Sequence, residues 1–203
     1  QRVELLKEVA RLAEDQLEDA PRSFARLLEA FELTPDDRSL WDELDRLAAQ
    51  LDRWDGLAAA FAAAVESPDE GLCLNDRLEL ALRVAEIREK QNRPADAAEA
   101  YHRALVLDET SDAAILALER LHAHLEQWSQ LVDILERKAS LSDTDDERCT
   151  ILFRICTLQE EQLHDPSTAI QTYQRVLDLD SARLDAWFAL ERLYDEARRY
   201  GEL

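Results

Sequence analysis

The chain has 203 residues and a formal net charge of −21, from 24 basic and 45 acidic side chains. It contains three glycines and five prolines, too few for the many turns of a sheet protein, which favours long helices. The negative charge argues against nucleic acid as a ligand, since phosphates are bound by Lys and Arg, and against an anionic membrane surface. A basic partner is compatible with this charge, although a solvated acidic surface is the commoner meaning of such a composition.

Apolar residues recur at i, i+3, i+4 and i+7 along the chain, the spacing of amphipathic helices. Short breaks rich in Pro, Asp and Ser separate these stretches, and such residues typically mark the start of a new helix. The pattern predicts eleven helices, near residues 2–18, 21–33, 36–51, 54–66, 73–91, 94–107, 111–125, 128–140, 145–163, 166–179 and 182–198.

The sequence repeats itself at a distance of about 73 residues, which makes an array of structural repeats the first hypothesis. Ala-Leu-Glu-Arg-Leu occurs at 117–121 and at 189–193, and an aromatic residue, Trp128 or Tyr200, follows each copy at the same spacing. A third, shorter copy lies at 44–47 and is followed by Trp54. Each repeat divides into units of two helices, and one such pair cannot bury its apolar stripe without its neighbours.

These repeats resemble the tetratricopeptide-repeat family, whose pattern is W-x2-L-G-x2-Y in the first helix and A-x3-F, then P, in the second. Trp187, Leu190 and Tyr194 match the first helix, and Ala97 and Tyr101 match the second. The resemblance covers essentially the whole chain. It implies an all-α, right-handed superhelical solenoid of antiparallel helix pairs, about 5.5 units forming a single array over residues 1–203.

The chain departs from the family pattern at the glycine position of the first helix. One class of units has an acidic residue there, and the other class has a small residue. The acidic class comprises Asp45, Glu119 and Glu191, and the small class comprises Ala10, Ala85 and Cys156. We therefore expect a variant array that alternates two unit types, with looser helix packing at the acidic positions.

No motif in the chain indicates catalysis, a metal or a cofactor. There is no zinc-ligand spacing, no glycine-rich phosphate loop and no nucleophile elbow. Cys149 and Cys156 lie two turns apart on one predicted helix, too far for a disulfide, so we expect reduced thiols. The four tryptophans occupy repeat positions devoted to helix packing, and we expect all of them in the core.

The resemblance also implies which side chains line the concave groove of the array. The groove candidates are Arg46, Arg120, Arg192, Arg11, Lys7, Phe153, Phe188 and Leu116. A periodic row of arginines in an acidic protein would bind carboxylates of an extended partner segment. The alternative, to which we give more weight, is that each arginine pairs with Glu or Asp on its own or the next helix.

The family implies a non-enzymatic interaction scaffold that binds a peptide segment or a partner helix in the groove. The alternative is a structural spacer or oligomerisation array within a larger multidomain protein, with self-association through exposed solenoid ends. An RNA-binding helical array is disfavoured by the charge, and an enzyme subunit would need a catalytic partner chain.

The arginine-rich basic composition suggests a bacterial source, and the reduced thiols suggest the cytoplasm. The sequence starts at Gln1 within a helical pattern, so we expect part of a longer protein, and a periplasmic location stays open.

Overall fold

The computed structural model describes residues 1–67 and 71–200, with side chains through Glu196. Over these residues the chain forms eleven α-helices and no strand. The helices are α1 (Arg2–Leu17), α2 (Ala20–Leu33), α3 (Arg38–Leu51), α4 (Trp54–Glu66), α5 (Leu74–Lys90), α6 (Pro94–Leu107), α7 (Asp112–His124), α8 (Trp128–Leu141), α9 (Asp145–Glu161), α10 (Pro166–Leu179) and α11 (Leu184–Tyr200). The predicted all-α class and helix series are confirmed, and each end lies within two residues of its predicted position.

The helices pack in sequential pairs within two compact units, residues 1–114 and 115–203, here called unit 1 and unit 2. We call the odd-numbered helices first helices and the even-numbered ones second helices. In unit 1 the closest pairs are α1 with α2 and α5 with α6; in unit 2 the closest is α9 with α10. Among the described residues, every helix is too short or too polar to cross a membrane.

Small residues allow the closest pairs to approach. Ala10 on α1, Ala85 on α5 and Cys156 on α9 are buried at the contact of each first helix with its neighbours. Asp45 takes the same position on α3, and α3 lies less closely against α4. The Asp45 carboxylate accepts from Arg83 on α5, so the looser packing expected at the acidic positions stays a prediction.

The core of unit 1 is organised around large side chains of α2, α3 and α4. Trp41 is fully buried, and its indole Nε1 donates a hydrogen bond of 2.8 Å to the Pro35 carbonyl. The rings of Phe31 and Phe61 meet at a tilt with centroids 5.2 Å apart. Trp41 thus confirms the expected core role of the tryptophans. A buried ring with a satisfied N–H is well suited to that position.

The other tryptophans are less buried than expected. Trp54 and Trp128 are half-buried, and Trp128 packs against the core of unit 2. The expectation is wrong for Trp187, which is 53% exposed although its Nε1 donates to the Ser181 carbonyl at 3.1 Å, just as Trp41 does to Pro35. Within the described residues, no helix covers the outer face of α11 at Trp187. The repeated phrase that follows it ends at residues 201–203, outside the described part.

The same turn ends five of the first helices. One residue in the turn after each of them, one to three positions beyond the helix end, has a left-handed backbone with φ between 51° and 54°. These residues are Glu18, Asp52, Asn92, Glu126 and His164. None is glycine, so each carries the steric cost that a Cβ imposes in this region. His164 therefore has a structural position in a turn, and it is followed by Asp165, the N-cap of α10.

Replacing one of these turn residues by glycine should stabilise the chain. We expect Glu126→Gly to raise the free energy of unfolding by about 0.5–1 kcal/mol, because glycine adopts positive φ without the Cβ clash. Urea unfolding at neutral pH would measure it, with Glu126→Ala as the matched control that keeps the Cβ. A gain of the same size in both variants would show that the side chain, not the backbone, is responsible.

Candidate partner-binding face

The groove candidates lie on first helices of both units. In unit 1, Lys7 and Arg11 lie on α1 and Arg46 lies on α3. In unit 2, Leu116 and Arg120 lie on α7, Phe153 on α9, and Phe188 and Arg192 on α11. We call the five residues of unit 2 the unit 2 face.

Ion pairs join the three first helices of unit 2 side by side. The Glu119 carboxylate on α7 accepts from Arg154 on α9, and Glu160 on α9 accepts from Arg192 on α11. Lys138 on α8 also donates to Glu119, at 2.7 Å. Because α9 is tied to α7 on one side and to α11 on the other, the unit 2 face draws its side chains from three neighbouring helices.

The apolar members of the unit 2 face are open to solvent. Leu116 is 56% exposed and Phe188 is 66% exposed. Phe153 is half-buried, because its ring packs edge-on against Tyr173 at 5.4 Å and the Arg183 guanidinium lies 5.5 Å from its centroid. Large apolar side chains exposed at this level on adjacent elements commonly mark an interaction surface.

The arginines of the predicted row are engaged within the chain. Arg46 makes two 2.8 Å hydrogen bonds to the two carboxylate oxygens of Glu14 on α1. The Arg46 hydrogen bond lowers the pKa of Glu14, and Glu14 in turn raises the pKa of Arg46. Arg192 contacts Glu160 and, at 3.7 Å, Glu196 of its own helix.

The other basic residues predicted to line the groove are Lys7, Arg120 and Arg11, and they differ in the contacts they make. Lys7 forms an ion pair with Asp37 at the start of α3, and its hydrogen bond lowers the pKa of that carboxyl. Arg120 is also engaged in an interaction. Arg11 is exposed and makes no hydrogen bond or ion pair with the described residues. Most of these contacts pair a basic side chain with Glu or Asp of the same or a neighbouring helix, as the alternative hypothesis expects. The role of the arginine row in binding stays a prediction.

A second set of ion pairs, which sequence reasoning missed, uses the acidic position of the repeat. Asp45 on α3 accepts from Arg83 on α5 at 2.6 Å, and Glu119 on α7 accepts from Arg154 on α9. Both arginines stand two residues before the small residue of their own helix, Ala85 or Cys156. The signal was therefore present in the sequence: an acidic residue in one first helix and an arginine at a fixed position in the next.

The two equivalent carboxyls have opposite pKa shifts. Burial raises the pKa of Asp45, and Arg83 does not fully offset it because that guanidinium is shared with Asp42 and Glu79. Burial also raises the pKa of Glu119, but the hydrogen bonds from Lys138 and Arg154 outweigh it, so that the pKa lies below its ordinary value.

These shifts predict opposite effects of removing the two charges. At pH 7, Glu119→Gln should lower the free energy of unfolding by about 1 kcal/mol, since two cations lose a partly buried partner. Asp45→Asn should leave it unchanged or slightly higher, because the buried charge is the unfavourable form and Arg83 keeps two other carboxylates.

The pH dependence follows from the same signs. The contribution of Glu119 is present above its ordinary pKa of 4.5 and is lost as the pH falls below it. Asp45 behaves in the opposite way, since protonation relieves its burial cost. Urea unfolding at pH 7 and pH 3.5 would check both variants, and an equal loss from the two substitutions at pH 7 would contradict the analysis.

Two of the three thiols are buried, which opposes nucleophilic chemistry. Cys149 and Cys156 are buried, and burial raises the pKa of Cys156 to about 12 and also raises that of Cys149. A thiol becomes a nucleophile as thiolate, which burial opposes. Cys73 is exposed and caps α5, where its Sγ accepts from the Asp76 backbone N–H at 3.4 Å.

Metal binding has no support in the described part of the chain, where no group of three or more His, Cys, Asp or Glu is arranged to hold an ion. His122 is 3% exposed, and its Nδ1 lies 2.8 Å from Gln127 Oε1, so it occupies a packed position on α7.

Thiol labelling should separate the three cysteines. In the native protein at pH 8, we expect one thiol, that of Cys73, to react promptly with a chromogenic disulfide reagent, and the other two to react only on unfolding. Cys73→Ser is the control that should remove the fast phase. A second fast thiol in that variant would show that Cys149 or Cys156 is accessible.

No protein-family model and no curated protein matches the sequence. Several solved structures are similar to it. A tetratricopeptide repeat protein from Parabacteroides merdae is 12% identical over 100% of this chain and 76% of that chain, with a TM-score of 0.45. YrrB, described as a TPR protein with an unusual peptide-binding site, is 13% identical over 92% and 90%, with a TM-score of 0.43. MamA from Desulfovibrio magneticus RS-1 is 12% identical over 90% and 97%, with a TM-score of 0.43.

Identities this low and TM-scores below 0.5 do not establish a family for the chain. The fold assignment therefore rests on the helices of the chain itself and on their packing in sequential pairs.

Proposed function

We propose that the chain is a variant tetratricopeptide-type array, alternating two unit types at a period of about 73 residues, and that it acts as a non-enzymatic protein-interaction scaffold. The left-handed turn after five first helices supports the repeat of helix pairs, and the repeated ion pair, Asp45 with Arg83 and Glu119 with Arg154, supports the alternation. The partner is a peptide segment or helix of another protein, and the −21 charge makes nucleic acid an unfavourable ligand.

One observation carries the proposed function. The unit 2 face presents Leu116, Phe153 and Phe188 on three helices held in a row by ion pairs, and two of these side chains are more than half exposed. A partner that covered Leu116 and Phe188 would bury apolar surface worth about 1.5–3 kcal/mol for each side chain. The rigid helices beneath need little reordering on binding, which lowers the entropic cost.

The arginine row has a smaller part in this proposal. A partner carboxylate at Arg46 or Arg192 would have to displace Glu14 or Glu160, so the net gain is small. Arg11 on α1 has no such competitor among the described residues. We therefore expect apolar contacts to supply most of the affinity in unit 2 and charge to contribute to orientation.

The alternative function is a structural spacer or oligomerisation array. The ion pairs of Arg46 and Arg192, like those of Arg83 and Arg154, favour it, because they join neighbouring first helices and engage two arginines of the row within the chain. A spacer and a scaffold differ in one measurable respect, since a spacer does not depend on the exposed apolar side chains of the unit 2 face.

We also propose a cytoplasmic location in a bacterium. The three free cysteines and the predominance of arginine among the basic residues support it.

The test is affinity capture from a nuclease-treated lysate of the organism that encodes the chain. We expect specific partners on the wild type to fall about tenfold or more with Leu116→Gln/Phe188→Gln, as quantified by mass spectrometry. Val106→Gln is the matched control, because Val106 is 83% exposed on a second helix of unit 1.

Arginine substitutions would be a poorer first test. Arg46→Glu or Arg192→Glu would break an ion pair and place two carboxylates together, so a lost partner would not distinguish binding from stability. Partners that bind all variants equally would place recognition elsewhere, and the absence of any specific partner would support the spacer.

A further inference from the structure

A cleft of about 370 Å³ lies in unit 1, bordered by the last turns of α2 and α4 and by the segment just before α5. We call it the α2–α4 cleft. Phe31 and Leu72, which are 1% and 7% exposed, form its apolar interior, and Leu33 and Pro35 lie nearer its mouth. The volume is at the lower end of the range of about 300–1,000 Å³ that is typical of small-ligand pockets.

Small side chains on α4 leave this space open. The residues of α4 that line the cleft include Ala60, Ala63 and Ala64. A tryptophan begins both α4 and α8, and the positions of α8 at the same distances from it hold Ile134, Arg137 and Lys138. In unit 2, Ile134 is buried and Lys138 donates to Glu119. The cleft therefore exists because α4 lacks larger side chains that a related helix of the same chain carries.

One wall of the cleft is held in place by Arg77 on α5. Its guanidinium donates to the Val65 carbonyl at 3.2 Å and to the Leu72 carbonyl at 3.4 Å. These bonds join the segment before α5 to the last turn of α4. Arg77 is not among the residues that line the cleft, and two backbone carbonyls take up its hydrogen bonds. A cavity whose walls are joined in this way needs little reordering when a ligand enters.

The ionisable side chains that line the cleft are both acidic. They are Glu32 and Asp36, which are exposed and make no hydrogen bond or ion pair with the described residues. The last turn of α2 borders the same space, and the negative end of a helix dipole favours a nearby cation. The end of α4 contributes less, since Arg77 already binds its Val65 carbonyl. The rim of the cleft therefore favours positive charge, while its interior is apolar.

We infer that the α2–α4 cleft binds a small organic cation, an ammonium group carried on an apolar body. The apolar body lies against Phe31, Leu72 and the alanines of α4, and the ammonium group lies at the rim with the carboxylates of Glu32 and Asp36. An exposed ion pair alone contributes little in water, so the apolar contacts supply affinity and the carboxylates select the sign of the charge. This inference does not depend on the proposed role of the unit 2 face.

The probe is 4-phenylbutylamine, and its matched control is 4-phenylbutyrate, which has the same ring and chain length but the opposite charge. Isothermal titration calorimetry with the full chain at pH 7 and low salt should show saturable binding of the amine. The carboxylate should bind at least about tenfold more weakly, because the rim repels it. In ¹H–¹⁵N spectra the amine should shift the backbone amides of Ala63 and Gly71 and leave those of Leu116 and Phe188 unchanged.

Variants of the chain separate the two parts of the cleft. Ala60→Ile/Ala64→Lys introduces the side chains of α8, and it should remove saturable binding by filling the space and adding a cation. Glu32→Gln/Asp36→Asn should weaken binding about three- to tenfold. Glu86→Gln is the control for charge, since Glu86 is exposed on α5 and does not line the cleft. Circular dichroism should confirm that all three variants fold.

Several outcomes would overturn the inference. They are no saturable binding of the amine, equal binding of the amine and the carboxylate, spectral shifts confined to the unit 2 face, and unchanged binding to Ala60→Ile/Ala64→Lys. Binding of acetyl-Leu-Arg-Leu-amide about tenfold tighter than the amine would overturn it by assigning the cleft to a partner protein. A wild-type dimer in sedimentation that Ala60→Ile/Ala64→Lys abolishes would do so by assigning the cleft to a second copy of the chain.

Discussion

The structure depends on burial of apolar stripes that no helix pair can cover by itself. Ala10, Ala85 and Cys156 let paired helices approach, but the outer side of each first helix still needs the second helix before it. Ile155, one residue before Cys156, shares a core cluster with Leu131 and Leu135 of α8, whereas no described helix precedes α1, where Val9 holds the same position before Ala10. Apolar burial therefore explains why each helix packs on its neighbours along the chain.

Electrostatics has a second, more local role. The chain has about two acidic side chains for each basic one, so a buried carboxylate survives only where a cation reaches it. Arg154 and Lys138 supply this at Glu119, whereas Asp45 shares Arg83 with other acids. Arg46 and Arg192 of the predicted row likewise pair with Glu14 and Glu160 on a neighbouring helix, which is why we propose the exposed apolar side chains as the better candidates for partner contacts.

The helices could be predicted closely because their signals are local: apolar spacing within each helix and Pro, Asp or Ser between helices. The site could not be predicted as closely. The bonds of Arg46 to Glu14 and of Arg192 to Glu160 join different helices, whose separation a periodic pattern does not give. The pattern also does not predict how exposed each side chain is, because Trp41 and Trp187 have the same motif position but different surroundings. Residues other than glycine that adopt a left-handed backbone, such as Asp52 and Glu126, can hardly be recognised from a single sequence.

The order of helix contacts in unit 1 has a consequence for mechanics. Helices α1 to α6 pack almost entirely on neighbours in the chain, so few contacts join distant segments. Such a topology folds quickly, because little loop entropy is lost before contacts form. It also means that a pulling force along the chain meets small barriers one after another instead of a single large one. Unit 1 would lengthen under load by releasing one helix pair at a time, and the pairs that remain would keep their own cores.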